Sequence, residues 1–189
     1  MSGWLRKGPD AASGSHYYSE PHLQVQGEVG ISGRRIRVAG NGWLDHEWAD
    51  SLMSPEAVGW DWIGMNLDDG GALMATQWRR ADGGPVWAHA SLRTRSGEVR
   101  RYGPKEVRFT AWRRWLNSTT RASYPVEWLV ETPAGRYQVR SRLDLQEVDA
   151  RSSTANVYYE GLSDLLGPKG ERLGSGYLEM TGYAGRLTL

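Results

Sequence analysis

From residue 21 onward the sequence is a succession of short segments in which apolar and polar residues alternate, separated by turns that contain glycine. Alternation with a period of two is typical of half-buried β-strands, and no stretch carries the period of an amphipathic helix. Pro125–Glu131 shows the alternation clearly, with Val126, Trp128 and Val130 on one face. Roughly ten such segments predict an all-β fold with few helices, and an antiparallel barrel is favoured because closure removes exposed edge strands.

Hairpins are predicted where two alternating segments flank a short turn that supplies a glycine for positive φ. The strongest signal is Asp68-Asp69-Gly70-Gly71, between segments 57–67 and 72–80. Ser32-Gly33 and Pro133-Ala134-Gly135 are further turns of this kind.

Residues 1–20 differ from the rest in their mixture of Gly, Ser, Ala and Pro, which is typical of a leader or an interdomain linker. They lack the apolar core of a signal peptide, and no apolar run in the chain approaches the roughly 20 residues of a membrane-spanning helix. We therefore predict a linker or leader segment over 1–20 and one barrel domain over 21–189.

The aromatic residues are unusual, with ten Trp and nine Tyr but one Phe. Trp and Tyr combine an apolar face with a polar edge, so they suit ligand cavities and barrel rims as well as cores. The net charge of +1 comes from scattered charges, which argues against a nucleic-acid partner. The absence of cysteine excludes disulfides, thiolate metal sites and cysteine nucleophiles.

The densest cluster of chemically capable residues is Gly42-Trp43-Leu44-Asp45-His46-Glu47-Trp48. On a strand, Leu44, His46 and Trp48 share one face and Trp43 lies on the other. A histidine beside an indole in an apolar setting has a pKa open to adjustment near neutrality, but a core histidine bonded to the backbone fits equally well. No second histidine lies at metal-site spacing, so no metal or cofactor is predicted.

A second cluster is Gly59-Trp60-Asp61-Trp62, in which Asp61 shares its strand face with the apolar Ile63 and Met65. Burial raises the pKa of a carboxyl group, so Asp61 is a candidate general acid. A structural Asp paired with an arginine is the alternative. Further along, Tyr158 and Glu160 point to the same side of a strand, either as a polar network at a barrel mouth or as solvated surface.

These clusters resemble the AttH and carotenoid 1,2-hydratase family, also called hydroxyneurosporene synthase-like proteins. The resemblance rests on Gly42–Trp48, Gly59–Trp62 and the block Gly176-Tyr177-Leu178-Glu179-Met180-Thr181-Gly182-Tyr183, in this order. Shorter blocks extend it over nearly the whole chain: Lys7-Gly8-Pro9, Tyr17-Tyr18-Ser19, Tyr124-Pro125-Val126, Glu147–Ser152 and Tyr159-Glu160-Gly161.

The resemblance implies a lipocalin-like (calycin) barrel and, since members look like two such halves in tandem, an N-terminal partner half. The hydratases add water to an isolated C=C bond without an organic cofactor. They depend on a His-x-Trp pair and a downstream Asp, which correspond to His46, Trp48 and Asp61. The hydratases carry a Tyr near that Asp where this chain has Trp60 and Trp62, a departure that bears on the carotenoid substrate. A bacterial periplasmic or membrane-peripheral location is implied.

Together these observations give one hypothesis and two rivals. In the hydratase hypothesis Asp61 protonates an isoprenoid or lipid-like alkene, indole faces hold the cation, and His46, of the pair with Trp48, positions or deprotonates the incoming water. The residues predicted to line the ligand pocket are Trp43, Trp60, Trp62, Tyr158 and Glu160. The rivals are a non-catalytic carrier of a hydrophobic molecule and a structural half-module. Convergence of His46, Trp48 and Asp61 on one cavity favours the enzyme, whereas separate faces favour the carrier or the structural half-module.

Overall fold

The computed structural model describes residues 3–50 and 53–187. Positions 1–2 of the predicted range 1–20, and positions 51–52 and 188–189 of the predicted range 21–189, lie outside the described residues. The described chain is all-β and contains no helix, so none that could cross a membrane. Its strands are β1 (Trp4–Arg6), β2 (Gly14–Ile31), β3 (Arg34–Trp48), β4 (Gly59–Leu67), β5 (Ala72–Arg79), β6 (Pro85–Arg93), β7 (Val99–Tyr102), β8 (Arg108–Leu116), β9 (Ser123–Thr132), β10 (Gly135–Ser141), β11 (Glu147–Ala150), β12 (Asn156–Leu166) and β13 (Arg172–Met180).

The strands form two antiparallel sheets. A large sheet has the order β7-β6-β5-β4-β13-β12-β10-β9-β8, with β11 beside β12, and a small sheet contains β1, β2 and β3. The predicted all-β class is confirmed, but the large sheet is not closed by hydrogen bonds, since its end strands β7 and β8 are not paired. β7 has only four residues and pairs with Ala90–Arg93, which leaves a seam beside the first half of β6.

The predicted hairpins are present. β4 and β5 pair around the Asp68–Gly71 turn, and β9 and β10 pair around residues 133–134. In the β2–β3 turn both Ser32 and Gly33 have positive φ, 50° and 77°, which is the requirement of a type I′ turn. The strand pairs predicted from glycine-containing turns between alternating segments are therefore confirmed.

The concave side of the large sheet is a packed hydrophobic core. Tyr124 and Tyr159, both fully buried, stand with ring centroids 5.3 Å apart, and Ile63, Met65 and Leu178 fill the space around them. Because bulky rings occupy the centre, the larger cavities lie outside this core, at the convex face, beside β1 and the start of β2, and at the seam.

The segment predicted as a leader, residues 1–20, contains β1 and the first seven residues of β2, so the predicted boundary at residue 21 falls inside a strand. Leu5 is buried in a small cluster with Ala57 and Trp78. Lys7 is buried too and forms an ion pair with Glu47. The described part of this segment is therefore integrated into the fold.

β2 and β3 form a hairpin much longer than any other in the chain. Near its middle, β2 carries a bulge at His22, whose φ is 58°. Asn66 of β4 holds both strands there: its Oδ1 accepts a hydrogen bond from the His22 backbone N–H (2.9 Å) and its Nδ2 donates to Gly42 O (3.4 Å). Beyond this clamp the hairpin tip, residues 24–41, is exposed.

Candidate functional site

The largest cavity is a cleft of about 920 Å³ between the hairpin and the convex face of the large sheet. The sheet contributes alternate residues of β4, β13 and β12, and the hairpin covers them with the β3 face that carries Trp43 and Asp45. A volume of this size suits a small organic ligand.

One wall of the cleft is a pair of indoles. Trp62 of β4 and Trp43 of β3 meet edge to face, with centroids 6.0 Å apart. The pair depends on Gly64, since a Cβ at that position would stand 2.3 Å from Trp62 and 2.8 Å from Trp43. The hairpin and the sheet are thus joined by an aromatic surface able to contact an apolar ligand or a cation.

Beside this wall, two carboxyl groups stand directly opposite each other on adjacent strands. Glu179 of β13 pairs in register with Glu160 of β12 on one side and with Trp62 of β4 on the other. Like charges at directly opposed positions destabilise a sheet, so the pair favours a state in which one carboxyl group is protonated.

Glu179 is the group that holds the proton. Burial raises its pKa to about 8, and the negative charge of Glu160 adds to the effect. Trp60 Nε1 donates a hydrogen bond to Glu179 Oε1 (3.1 Å), which opposes the rise and fixes the carboxyl group in position. The pKa of Glu160 is also raised, by burial and then by Asp45. Near neutral pH a pKa of about 8 leaves Glu179 mainly protonated, beside the carboxyl group of Glu160.

Asp45 completes the carboxyl cluster from the hairpin side. Its Oδ1 accepts a hydrogen bond from Trp43 Nε1 (2.7 Å). Although the residue as a whole is exposed, shielding of its carboxyl group from solvent raises the pKa. Tyr17, on the neighbouring strand, has a pKa raised by burial and by the charge of Asp45, so its hydroxyl stays protonated and can act as a donor.

Of the five residues predicted to bind ligand, Trp43, Trp62 and Glu160 line this cleft. Trp60 lies behind it, packed against the Leu5 cluster, and acts on the cleft through Glu179. Tyr158 shares the strand face of Glu160 but is not part of the cleft lining.

Asp61 points to the other side of β4, into the interior, and is fully buried. Its Oδ2 lies 2.8 Å from Arg79 Nε and accepts a hydrogen bond from Gln77 (2.8 Å), while Tyr183 donates to Oδ1 (2.9 Å). Burial raises the pKa of Asp61, and the Arg79 charge and these hydrogen bonds oppose the rise. In this arrangement Asp61 is enclosed by protein partners.

His46 and Trp48 lie on the hairpin face that is turned away from the sheet. They belong to a row of five rings with neighbouring centroids 4.9–5.3 Å apart, in the order Trp4, His16, Trp48, His46, Tyr18. Tyr18 and Trp48 are 44% and 50% exposed, so this row is a surface feature of the described chain.

The structure therefore does not bring His46, Trp48 and Asp61 together in one cavity, which weighs against the hydratase mechanism that assigns catalysis to these three residues. It assembles Glu179, which sequence reasoning assigned no role, with Glu160, Asp45 and two indoles. The signal for Glu179 was present, because it stands in the Gly176–Tyr183 block and alternates with the buried Leu178 and Met180. Among the described residues no group of His, Asp and Glu has the arrangement of a metal site.

Comparison with known proteins agrees with this architecture. The family described as AttH-like matches residues 1–183. A crystal structure of an AttH protein from Nitrosomonas europaea superposes with a TM-score of 0.92 at 46% identity, over 96% of this chain and 56% of that one. Kievitone hydratase from Nectria haematococca has the same fold, with a TM-score of 0.75 at 18% identity, over 97% of this chain and 56% of its own. No curated protein matches.

This chain thus spans just over half the length of both solved structures. The match over nearly all of its residues, at 46% identity to the Nitrosomonas protein, shows the fold and the family together. The chain belongs to the AttH-like family and has a lipocalin-like fold.

Proposed function

We propose that this chain binds an isoprenoid or lipid-like molecule in the cleft beside Trp43 and Trp62 and contributes to acid-catalysed hydration of its C=C bond. The observation that carries the proposal is Glu179, which stands directly opposite Glu160 and accepts a hydrogen bond from Trp60 in an indole-walled cleft. A catalytic acid works best when its pKa lies near the operating pH, and the pKa of Glu179, about 8, meets that condition.

The reaction balances with the groups in the cleft. Glu179 donates its proton to one alkene carbon, forming a C–H bond and leaving a cation on the other carbon. The indole faces of Trp43 and Trp62 and the nearby carboxylates stabilise that cation. Water then forms the C–O bond, and its surplus proton passes to Glu160 or Asp45, from which Glu179 is reprotonated.

The direct test uses citronellol, which carries one isolated trisubstituted C=C bond, in water labelled with oxygen-18. Mass spectrometry of the extract is expected to show a tertiary alcohol that carries the label, formed faster at pH 6 than at pH 9. Citronellol that binds but returns unlabelled and unchanged would replace this proposal with the carrier function.

The catalytic roles predicted from the sequence for His46, Trp48 and Asp61 enter this proposal only if a second domain completes the site. His46 and Trp48 lie on the outward hairpin face. Trp48 lines an open cavity of about 550 Å³ with Trp4 and His16, and a covering domain would close it and bring in His46. A second domain docked there would enclose the ring row between itself and β3 and would make a composite pocket from the two halves.

A covering domain is also favoured by the hairpin tip, which has one apolar and one polar face. Val29 and Ile36 are directly opposed in register, and both are more than 40% exposed. The same face carries Leu23, Val25, Ile31 and Val38, all exposed. The opposite face holds polar pairs such as Glu28 opposite Arg37. An exposed apolar stripe of this kind marks a contact surface.

We infer that the occupant of this stripe is the other half of an AttH-like protein, since this chain matches only 56% of the Nitrosomonas protein. When this chain is co-expressed with the remaining segment of that protein, we expect the two to co-purify. Val29→Lys with Ile36→Lys should abolish co-purification, because two charges would be buried without partners. Gln26→Lys with Ala39→Lys, an opposed pair on the polar face, is the matched control.

Sedimentation of this chain alone distinguishes the competing occupant. A monomer is expected for the wild type and for both variants. A wild-type dimer that Val29→Lys with Ile36→Lys dissociates would show instead that the stripe binds a second copy.

A further inference from the structure

A second cavity, of about 430 Å³, opens at the seam of the large sheet. β7 pairs only with Ala90–Arg93, so the first half of β6 lacks a strand neighbour on that side. There the β5–β6 turn, with Gly83 and Pro85, faces β8 across the opening. The seam cavity shares no lining residue with the cleft, so it is an independent candidate site.

The charged side chains that line the seam cavity are all positive. Arg79, Arg108 and Arg114 line it, and none of the described lining residues is acidic. Arg79 is paired with the buried Asp61. Arg108 and Arg114 are exposed, and within the described residues neither has a carboxylate at ion-pair distance. Three guanidinium groups against one carboxylate leave a local excess of two positive charges.

The seam cavity also has a buried donor without an acceptor. Trp128, 3% exposed, has an Nε1 that is buried and bonds to none of the described residues. Arg79 Nε, by contrast, faces the Asp61 carboxylate at 2.8 Å. Buried donors are almost always satisfied in folded proteins, so a free indole N–H beside a positively charged cavity points to an acceptor that binds there.

Aromatic surfaces make up the remaining walls. Phe109 and Trp128 meet edge to face with centroids 5.7 Å apart. The Tyr183 ring lies 3.9 Å from the guanidinium carbon of Arg79 and 5.9 Å from that of Arg114. The Tyr183 hydroxyl is fixed by its bond to Asp61, so the ring is a rigid platform next to the positive charges.

We propose that the seam cavity binds a carboxylate carried on a flat aromatic body. Guanidinium groups match the two oxygens of a carboxylate, and the rings supply contact area to the rest of the molecule. Arg108 and Arg114, at the exposed side, hold the carboxylate, while the aromatic body lies against Phe109, Trp128 and Tyr183.

The test is calorimetric titration of the chain with 2-naphthoate and with 2-naphthamide, which has nearly the same shape but no charge. Naphthoate is expected to bind at least roughly tenfold more tightly than naphthamide, because the amide cannot pair with the guanidinium groups. Arg108→Gln with Arg114→Gln should remove that preference by weakening naphthoate about tenfold. Arg140→Gln, an exposed arginine outside the cavity, should leave both affinities unchanged.

Both positions are exposed, so the double variant should keep its thermal transition, which a melting curve verifies. Equal binding of the acid and the amide, or naphthoate binding that survives loss of both arginines, would overturn the proposal. Displacement of naphthoate by an equal concentration of inorganic phosphate would overturn the aromatic part, since it would show that an oxyanion alone suffices.

Discussion

Glu179→Gln is expected to lower the rate of citronellol hydration by about 10²–10⁴, the usual contribution of a positioned general acid. Glutamine keeps the size of the side chain and an oxygen for the Trp60 hydrogen bond, but it cannot release a proton to the alkene. Binding of citronellol should change little, because Trp43 and Trp62 are untouched. The measurement is single-turnover labelling with oxygen-18, compared with binding followed by calorimetry.

The same variant is also expected to stabilise the folded protein at alkaline pH. Glu179 has a pKa of about 8 in the folded protein and an ordinary value of 4.5. Between these values the folded state binds more protons than the unfolded state, so its stability falls as pH rises from 4.5 to 8. Glutamine lacks this penalty. Since each pKa unit is worth about 1.4 kcal/mol, we expect Glu179→Gln to raise the free energy of unfolding at pH 8 by about 4 kcal/mol.

Asp68→Asn is the matched control for both measurements. Asp68 lines the same cleft but is exposed and paired with Arg172 at 2.8 Å. Its loss should change turnover less than about threefold and should not alter the pH dependence of stability in this window. If Glu179→Gln hydrates citronellol at the wild-type rate, the acid lies elsewhere and the cleft is a binding site.

The strand pairs were predictable because they depend on local chemistry. The type I′ turn at Ser32-Gly33 and the Asp68–Gly71 turn each require positive φ in a short connection, and a sequence displays that requirement directly. The unclosed seam was not predictable, since it follows from the shortness of β7 rather than from any turn. The fold of residues 3–20 was missed for a similar reason: Lys7 and Leu5 are held by distant residues such as Glu47 and Trp78.

Alternation predicted which residues share a strand face, but not which face is covered. It placed His46 with Trp48 and Asp61 with Ile63, as the structure does. Whether a face meets the core, a cleft or solvent depends on how the β2–β3 hairpin folds over β4 and β13. Only that arrangement puts Trp43 against Trp62 and exposes His46. Glu179 stands opposite Glu160 because of the register between β12 and β13. Alternation within one strand does not determine the register between two strands, so this pair could not be predicted.

Asp61→Asn is expected to destabilise the folded chain by about 3–5 kcal/mol, because it leaves the Arg79 guanidinium buried without a counter-charge. For a domain of this size that loss corresponds to a fall in melting temperature of roughly 10 °C.

Arg79→Met should destabilise the folded chain less at low pH, because the Asp61 carboxyl group can then take up a proton. Its pKa, already raised by burial, loses the opposing charge of Arg79. The stability of Arg79→Met should therefore fall as pH rises above about 4, whereas the stability of Asp61→Asn should not show this pH dependence.

The double variant Asp61→Asn with Arg79→Met separates pairing from packing. It should be more stable than Asp61→Asn alone, because no buried charge remains, and urea unfolding of the four proteins at pH 5 and pH 8 measures the coupling. Asp61→Asn within about 1 kcal/mol of the wild type would mean that the pair does not stabilise the fold. The same comparison also decides how Asp61 enters catalysis. If folded Asp61→Asn hydrates citronellol at full rate, Asp61 holds β4, β5 and the Tyr183 segment together and donates no proton to substrate.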